Sequence, residues 1–497
     1  MTRLNRRTLR ELDSRVTVPL YDPALVTPGI AHIGVGGFHR AHQAVYIDRL
    51  LRQGLGADWG IVGVGLMPQD SAMRDALKRQ DHLYTVVIKH PDGTMEPHVI
   101  GSIVDYLFAP DDPEAVLTVL TDPAIRIVSL TITEGGYHVN QATRQLELDS
   151  ALRADLAPGA TPGTAFGLVT EALARRRATG TPAFTVMSCD NIQGNGEVAR
   201  SAITAFAALR DPALGNWIET EVAFPSAMVD RITPVTADAD RDLLAREFHL
   251  DDAWPVVCEK YSQWVLEDHF PAGRPPLHNV GVQVVADVAP YELMKLRLLN
   301  ASHQAMCYLG YLAGYRYTHE VCADPLFAQF LRGYMEEEAS PTLDPVPGID
   351  LAKYRNQLLE RFVNPHVRDR LSRLCAESSD RIPKFLVPVI RHQLAHGGAV
   401  HRSALVLASW ARYAEGLDEH GRPIEIADRR REDLMSRARR NREDPLAFLE
   451  DPSLFGDLRD DSAFTSLYAD GLRSLHERGA RQTIRDWVPT HSDGKGV

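Results

Sequence analysis

The sequence predicts an α/β fold, with a doubly wound, mostly parallel sheet in its first half and a mostly α-helical second half. In the first half, short runs rich in β-branched residues alternate with helical patterns, as in parallel strands joined by crossover helices. After about residue 288 the pattern is almost wholly helical up to about residue 415. We therefore expect a first domain over residues 1–286 and a second over residues 287–497.

The predicted strands of the first half are IAHIGVGG (30–37), WGIVGVGL (59–66), IRIVSLTIT (125–133) and AFTVMSCDN (183–191). Between the first two, FHRAHQAVYIDRLLRQG predicts a single helix closed by Gly54. The Pro- and Gly-rich run over 269–279 indicates a connection near the domain boundary.

In the second half, Pro290 suits the first turn of a helix that runs to Gly310 or Gly314. Residues 418–426 predict a small hairpin, and the charge run over 427–444 predicts a solvated helix face.

Composition narrows the class of function. The chain has 497 residues, 44% of them hydrophobic and 24% charged, which is typical of globular proteins with more than one domain. Its net charge of -12 is spread without a basic stripe, so we expect a small-molecule partner and neither nucleic acid nor membrane. No apolar run approaches the roughly 20 residues of a bilayer span, and the N-terminus predicts an exposed helix.

The five cysteines are widely spaced and odd in number, which favours reduced thiols and a cytoplasmic location. Neither Cys-x-x-Cys nor His-Glu-x-x-His occurs, so no metal site is predicted.

A glycine-rich turn follows the first predicted strand. Gly34, Gly36 and Gly37 stand directly before a helix, where backbone can approach a pyrophosphate and helix N–H groups can face it. His39 replaces the usual third glycine of G-x-G-x-x-G, so the motif alone also fits a plain tight turn. The strand and helix context favours a dinucleotide site in a Rossmann-like domain.

Asp70 follows the second predicted strand. Its carboxylate could accept hydrogen bonds from an adenosine ribose and repel a 2′-phosphate, which favours NAD over NADP. The alternative is that Asp70 caps the helix that follows it.

The stretch KLRLLNASH carries polar groups at helical spacing. At roughly 100° per residue, Glu292, Lys295, Asn300 and His303 share one side of a helix. The opposite side is an apolar stripe of Met294, Leu298, Ala301 and Ala305.

A lysine serves as a general base when its pKa falls to roughly 7–8, and Asn300 and His303 could donate hydrogen bonds to a reacting oxygen. Alternatively, Lys295 extends to solvent and His303 is a core histidine.

Six motifs together resemble the mannitol dehydrogenase family of polyol-specific long-chain dehydrogenases. They stand in the family's order and are GVGGFHRAHQ, TITEGGY, VMSCDN, PSAMVDRITP, KLRLLNASH and RIPKFL. The resemblance implies a zinc-independent, NAD-dependent interconversion of a polyol and a ketose, and D-mannitol and D-fructose are the pair that it favours. It also implies an active site in the cleft between the two domains, and it permits a monomer.

The resemblance assigns roles to residues. Lys295 matches the general base, Asn300 and His303 the groups that polarise the reacting oxygen, and Glu292 a carboxylate on the proton route. The implied substrate-binding residues are Asn191, Asp230, Arg373 and Arg381, and the implied cofactor-binding residues are Ile33, Gly34, Gly36, Gly37, Phe38, Asp70 and Glu134.

The chain departs from the family pattern at two positions. Arg381 stands where the family often has lysine, and Gln69 where an acidic residue often precedes the Asp70 equivalent. Three alternatives therefore stay open. They are a D-arabinitol 4-dehydrogenase, a hexuronate (fructuronate or tagaturonate) reductase whose substrate carboxylate suits two arginines, and a catalytically silent dinucleotide-sensing protein.

Overall fold

The computed structural model describes residues 1–140 and 145–487. The chain forms two compact units, Met1–Ala289 and Pro290–Val497. In the first unit the strands are β1 (Thr2–Arg3), β2 (Pro28–Ile33), β3 (Gly60–Gly65), β4 (Tyr84–Lys89), β5 (Met95–Ile100), β6 (Ile103–Phe108), β7 (Ile127–Leu130), β8 (Thr185–Ser188), β9 (Ala227–Asp230), β10 (Leu250–Asp251), β11 (Val256–Glu259), β12 (Gln263–Glu267) and β13 (Gln283–Val285).

The helices of the first unit are α1 (Gly37–Ala41), α2 (Gln43–Arg52), α3 (Asp70–Arg79), α4 (Pro113–Thr121), α5 (Ser150–Asp155), α6 (Ala165–Thr179), α7 (Asn195–Arg210), α8 (Pro212–Glu221) and α9 (Asp238–Phe248). The later helices are α10 (Ala289–Met294), α11 (Ala301–Leu312), α12 (Thr318–Ala323), α13 (Pro325–Gly333), α14 (Leu351–Phe362), α15 (Leu371–Cys375), α16 (Ser378–Phe385), α17 (Val387–Ala395), α18 (His401–Tyr413), α19 (Arg431–Ala438), α20 (Pro452–Phe455) and α21 (Ser462–Trp487).

A five-stranded parallel sheet organises the first unit. Its strand order is β6-β3-β2-β7-β8, which confirms the predicted doubly wound sheet. The order runs outward in both directions from β2 and β7, so the switch point lies between these two strands. Open α/β sheets bind ligands at such a point, outside the carboxyl ends of the strands.

Both faces of this sheet are covered by hydrophobic residues. On β2, Ile30 belongs to one buried cluster, while Ala31 and Ile33 belong to another. Successive strand residues point to opposite faces, so each cluster packs on its own side of the sheet. The nearly continuous apolar runs in the sequence reflect this burial on two faces.

Smaller sheets complete the first unit. β4 pairs with β5 and β11, and β12 pairs with β9 and β13. The second unit is helical, and no strand occurs in it up to Trp487, where the described part of the chain ends. No helix among the described residues is long and apolar enough to cross a membrane.

The prediction of an exposed helix at the N-terminus is wrong. Thr2–Arg3 instead forms β1, which pairs in parallel with Leu250–Asp251, and Leu4 beside it is fully buried. Only a short 3-10 turn, Leu9–Glu11, remains helical. The arginine-rich pattern did not reveal the sheet partner, which lies far along the chain.

The single helix expected after the glycine turn is two helices. At His42 the backbone leaves helical geometry (φ -125, ψ -89), and α1 ends there while α2 begins. The buried His42 ring donates from Nε2 to the carbonyl oxygen of Gln263 at 2.8 Å, a contact that stabilises the break.

The helix expected over KLRLLNASH is also interrupted. Lys295–Asn300 forms a π-helix between α10 and α11. A π-helix bonds residue i to i+5, so the count of roughly 100° per residue does not hold across it. The expected helix end is found near Gly314, which has a φ of +97.

Two elements predicted for the second unit are shorter in the structure than the sequence pattern indicates. The small hairpin over 418–426 amounts to one antiparallel bridge, between Leu417 and Pro423. The charged helix is the short α19, whose flanking Arg430 pairs with Asp451.

Candidate active site

The glycine turn lies at the carboxyl end of β2, beside the switch point. Ile33 is the buried last residue of that strand, and Gly34 follows with φ +92. A Cβ on Gly34 would meet the carbonyl oxygen of Thr131 at 2.2 Å, so only glycine fits. A Cβ on Gly36 would meet nothing closer than 3.9 Å. The turn therefore leaves room for a ligand where the backbone is exposed.

The residues after Gly36 begin a helix. Gly37 and Phe38 stand in the first turn of α1, where backbone N–H groups lack acceptors within the helix. The Phe38 ring is half-buried and stacks on His42 with a centroid distance of 4.9 Å. The open space and these N–H groups fit the pyrophosphate of a dinucleotide.

His39, in the place of the usual third glycine, fills the space under the turn. Its buried ring stacks on His32 at 3.4 Å with an interplanar angle of 13°. His32 hydrogen bonds to Ser129 Oγ at 2.8 Å and to Thr131 Oγ1 at 2.9 Å. The helix is thus packed on the strand by two imidazoles, and the missing glycine was the only sign of this pair in the sequence.

Asp70 does not cap the helix that follows it, which was one interpretation of the sequence, and instead bonds the turn before that helix. It is the first residue of α3, and its Oδ2 accepts the backbone N–H groups of Leu66 and Met67, both at 3.0 Å. These bonds shape the turn after β3. Both of these hydrogen bonds use Oδ2.

Three further predicted residues follow strand ends in the first unit. Glu134 begins a 3-10 turn after β7 and is exposed. Asn191 follows β8 and is also exposed, whereas Asp230 is the buried last residue of β9. β7 and β8 are neighbours in the parallel sheet, so the loops of Glu134 and Asn191 leave the same edge.

A buried carboxylate that sequence reasoning missed joins these loops. Asp190 accepts the N–H groups of Ile132 at 3.0 Å and Thr133 at 2.8 Å, and the Tyr137 hydroxyl at 2.8 Å. Burial raises the pKa of Asp190, and these hydrogen bonds oppose that shift. Its position next to Asn191 in the CDN motif was the available signal.

Asn195 extends the same connection to β9. Its Nδ2 donates to the carbonyl oxygens of Asp190 at 2.9 Å and Ala227 at 2.7 Å, and its Oδ1 accepts the Ala227 N–H at 3.0 Å. The loops that carry Glu134 and Asn191 are therefore tied to the strand that ends at Asp230.

In the second unit, Lys295 is the first residue of the π-helix and is 7% exposed. Glu292, in the last turn of α10, is 8% exposed. Both side chains are buried and take part in interactions within the protein. These two members of the predicted polar side are therefore buried.

Asn300 and His303 present polar atoms that lack partners among the described residues. Asn300 Oδ1 and His303 Nε2 are buried without a hydrogen bond. Burial lowers the pKa of His303 to about 3, so its imidazole is neutral at physiological pH. Buried polar atoms without partners are uncommon in proteins, and a ligand is one explanation for them. The Nδ2 end of the same Asn300 amide supplies a donor.

Arg373 and Arg381 lie near His303. Arg361 and both of these guanidinium groups lower the pKa of His303, while Asp369 raises it. Arg373 forms a bidentate ion pair with Asp369, at 2.7 and 2.6 Å. The structure thus brings these predicted residues of the second unit together.

Arg381 has a structural contact that the sequence did not predict. Its Nη1 donates to the backbone carbonyls of Arg373 at 3.0 Å and Leu374 at 2.8 Å, at the end of α15. Gln304, next to His303, donates to the same Leu374 carbonyl at 3.3 Å. The arginine segment is therefore linked to the helix that carries His303.

No cluster of three or more His, Cys, Asp or Glu side chains in residues 1–140 and 145–487 could hold a metal ion. All five cysteines are buried, and none of them forms a disulfide.

The chain matches two family models. The mannitol dehydrogenase Rossmann domain matches residues 28–279, and the mannitol dehydrogenase C-terminal domain matches residues 287–476. Mannitol 2-dehydrogenase of Phaeosphaeria nodorum is 48% identical over 98% of this chain and 86% of its own length. Mannitol 2-dehydrogenase of Aspergillus fumigatus is 46% identical over 98% of this chain and 99% of its own.

Two solved structures are similar over the same extent. A Pseudomonas fluorescens mannitol 2-dehydrogenase ternary complex with NAD and D-mannitol has a TM-score of 0.89 at 46% identity, covering 98% of this chain and 99% of that chain. A D-sorbitol dehydrogenase in substrate-free form has a TM-score of 0.89 at 38% identity, covering 97% of this chain and 100% of that chain. The chain belongs to the mannitol dehydrogenase family, as its motifs predict.

Proposed function

We propose that this chain catalyses the NAD-dependent, zinc-independent interconversion of D-mannitol and D-fructose. One observation supports the proposal most directly. Within the KLRLLNASH segment, Asn300 Oδ1 and His303 Nε2 are buried and lack partners among the described residues, and the buried amine of Lys295 stands just before them. A protein that bound no ligand here would gain nothing by leaving these atoms unsatisfied.

In the oxidation, Lys295 acts as the general base and takes the proton of the reacting hydroxyl. The carbon of that hydroxyl loses a hydride, so the C–O bond becomes a carbonyl. When bound, NAD supplies the nicotinamide that accepts this hydride. Asn300 and His303 donate hydrogen bonds to the oxygen as its charge develops, and neutral His303 can do so without being acidic enough to give up its proton.

Glu292 lies three residues before Lys295, on the preceding turn. We propose that it passes the proton from Lys295 towards solvent, as the family resemblance implies. In the reverse reaction the same groups return the proton to the new hydroxyl.

A neutral substrate suits the two arginines better than a uronate does. Arg373 is already matched by the Asp369 carboxylate in a bidentate pair, and Arg381 donates to backbone carbonyls. A substrate carboxylate would have to compete with Asp369 for the same donors. Donors left on the two guanidinium groups can still reach neutral hydroxyls.

The first unit supplies the cofactor site in this proposal. The turn from Gly34 to Phe38 holds the pyrophosphate and Asp70 the adenosine ribose. Glu134 and Asn191 follow the neighbouring strands β7 and β8, and Asp230 ends β9. These three residues would serve the nicotinamide and the substrate. Residues 1–286 thus bind the cofactor, and residues 287–497 provide the base and the groups that hold the oxygen. We also propose a monomer in the cytoplasm, with five reduced thiols.

A spectrophotometric screen of the purified chain tests the proposal. NAD and NADP are offered with mannitol, arabinitol and sorbitol, and NADH with fructose, fructuronate and tagaturonate. We expect the highest kcat/KM for mannitol with NAD and for fructose with NADH. Much faster reduction of fructuronate than of fructose would identify a uronate reductase. The absence of turnover on every substrate, with NADH still bound, would favour a dinucleotide-sensing protein.

A further inference from the structure

Two π-helices occur between Pro290 and Trp487, the described part of the second unit: Lys295–Asn300 and Tyr334–Ala339. A π-helix is rare, and it tends to occur as a short insertion at a functional site. The first carries the proposed general base. The second begins 34 residues after the first ends and is not part of the site already described.

Two hydrogen bonds join the first π-helix to the second π-helix and to the turn that follows it. The hydroxyl of Tyr334, the first residue of the second, donates to the backbone carbonyl of Arg297 in the first at 3.2 Å. In return, Nη1 of Arg297 donates to the carbonyl oxygen of Thr342, just beyond the second π-helix. Tyr334 is fully buried, and burial raises its pKa well above the usual range, so its hydroxyl stays a donor.

The second π-helix is firmly anchored. Glu338 accepts the backbone N–H groups of Arg402 at 2.7 Å and Ser403 at 2.8 Å, in the first turn of the long helix α18. Gln393 donates to the Glu338 carbonyl at 2.5 Å. A carboxylate at a helix N-terminus is favourable, so the second π-helix is a stable support for the first.

We propose that Tyr334 and Arg297 are positioning residues, which hold Lys295–Asn300 in its wide turn and thereby aim Lys295 at the oxygen bound by Asn300 and His303. If the six residues returned to an α-helical turn, Lys295 would rotate about the helix axis relative to the other two side chains. A displacement of about 1 Å in a catalytic group can cost on the order of a hundredfold in rate. This inference rests on the proposed function for its catalytic part only.

Tyr334→Phe removes the hydroxyl and little else. Tyr468→Phe is the matched control, because Tyr468 is a fully buried tyrosine of the same unit whose hydroxyl has no partner among the described residues. Four quantities are measured on each protein. They are the hydrogen–deuterium exchange of peptides covering residues 295–300, kcat and KM for mannitol, and the affinity for NADH.

We expect Tyr334→Phe to speed exchange over residues 295–300 and to lower kcat about tenfold, while NADH affinity stays unchanged. Tyr468→Phe should leave all four quantities at wild-type values. Unchanged exchange in Tyr334→Phe would overturn the inference. Faster exchange with wild-type kcat would also overturn it, because the contact would then be structural only.

Arg297→Met removes the hydrogen bond to the Thr342 carbonyl. It also replaces Tyr334→Phe as the test if that variant does not fold. It should reproduce the faster exchange and the lower kcat of Tyr334→Phe. The double variant should lose less activation free energy than the two single variants together, because both side chains act through one turn. If the effects of the two single variants on kcat were fully additive, the two residues would not act through the same turn. If the wild-type chain does not oxidise mannitol, the proposed function fails, and the exchange data still decide whether the two bonds hold the π-helix.

Discussion

The carboxylate of Asp190 accepts the backbone N–H of Thr133 at 2.8 Å. Thr133 has φ 63 and ψ 169, a region that is almost confined to glycine. Such strain costs about 1–3 kcal/mol and persists only where the surroundings impose it. Asp190 therefore fixes the entry to the loop that carries Glu134, although neither Asp190 nor Thr133 was predicted as a site residue.

Asp190→Asn should lower both stability and turnover. The amide would direct an N–H group at one of the donors that the carboxylate now accepts, at a cost of about 1–3 kcal/mol in the free energy of unfolding. We expect kcat for mannitol to fall about tenfold because the loops of Glu134 and Asn191 shift. Asp112→Asn is the control, since Asp112 caps α4 at the surface and asparagine caps equally well. Wild-type kcat in a destabilised Asp190→Asn protein would exclude a positioning role.

Lys295→Ala should lower kcat by on the order of a hundredfold or more, as expected for loss of a general base. NADH binding, followed by fluorescence, should persist because the proposed cofactor site lies in the other unit. Lys353→Ala removes an exposed lysine of the same unit and should be silent. A Lys295→Ala enzyme of normal rate would remove this residue from the mechanism.

His303 should make stability depend on pH. Its folded pKa of about 3 lies below the ordinary value of 6.5, so between these values the unfolded chain binds a proton that the folded chain does not. The stability due to neutral His303 is present above pH 6.5 and is lost as the pH falls towards 3. Compared with His303→Gln, the wild type should therefore lose about 2 kcal/mol more between pH 7 and pH 5 in urea unfolding. Equal losses in the two proteins would refute this.

Gln69→Glu should sharpen the preference for NAD. A second carboxylate beside Asp70 would repel the 2′-phosphate of NADP, and we expect the ratio of kcat/KM for NAD to that for NADP to rise about tenfold. Gln69→Ala, which removes the amide without adding charge, separates the effect of charge from that of size. If the wild type, Gln69→Glu and Gln69→Ala all gave the same ratio, residue 69 would not contribute to the discrimination between NAD and NADP.

Activity should survive dialysis against EDTA, because hydrogen bonds from Asn300 and His303 polarise the oxygen in the proposed mechanism. The measurement is the rate of mannitol oxidation before and after dialysis, with and without added zinc. Loss of activity that zinc restores would contradict the mechanism.

The parallel sheet could be predicted because its strands are buried on both faces and read as apolar runs, such as IAHIGVGG. The N-terminal strand could not, because Thr2–Arg3 depends on a partner about 250 residues away. Short strands of this kind carry no pattern of their own.

The sequence was enough to propose residues for the candidate site, but it did not indicate their local geometry. The spacing of Lys295, Asn300 and His303 pointed to one helix face, but the segment is a π-helix supported by Tyr334. A local count of residues cannot register a hydrogen bond from a distant tyrosine. Likewise, nothing in the letters TITEGGY indicates that Thr133 takes a glycine-like conformation.

The stacked pair of His32 and His39 limits how this protein can be altered by consensus engineering. Replacing His39 with glycine would restore the common fingerprint on paper, yet it would leave a hole the size of an imidazole under the turn and expose one face of His32 to it. The two histidines have to be exchanged together if they are exchanged at all. A search for distant relatives that demands the third glycine will pass over chains built in this way.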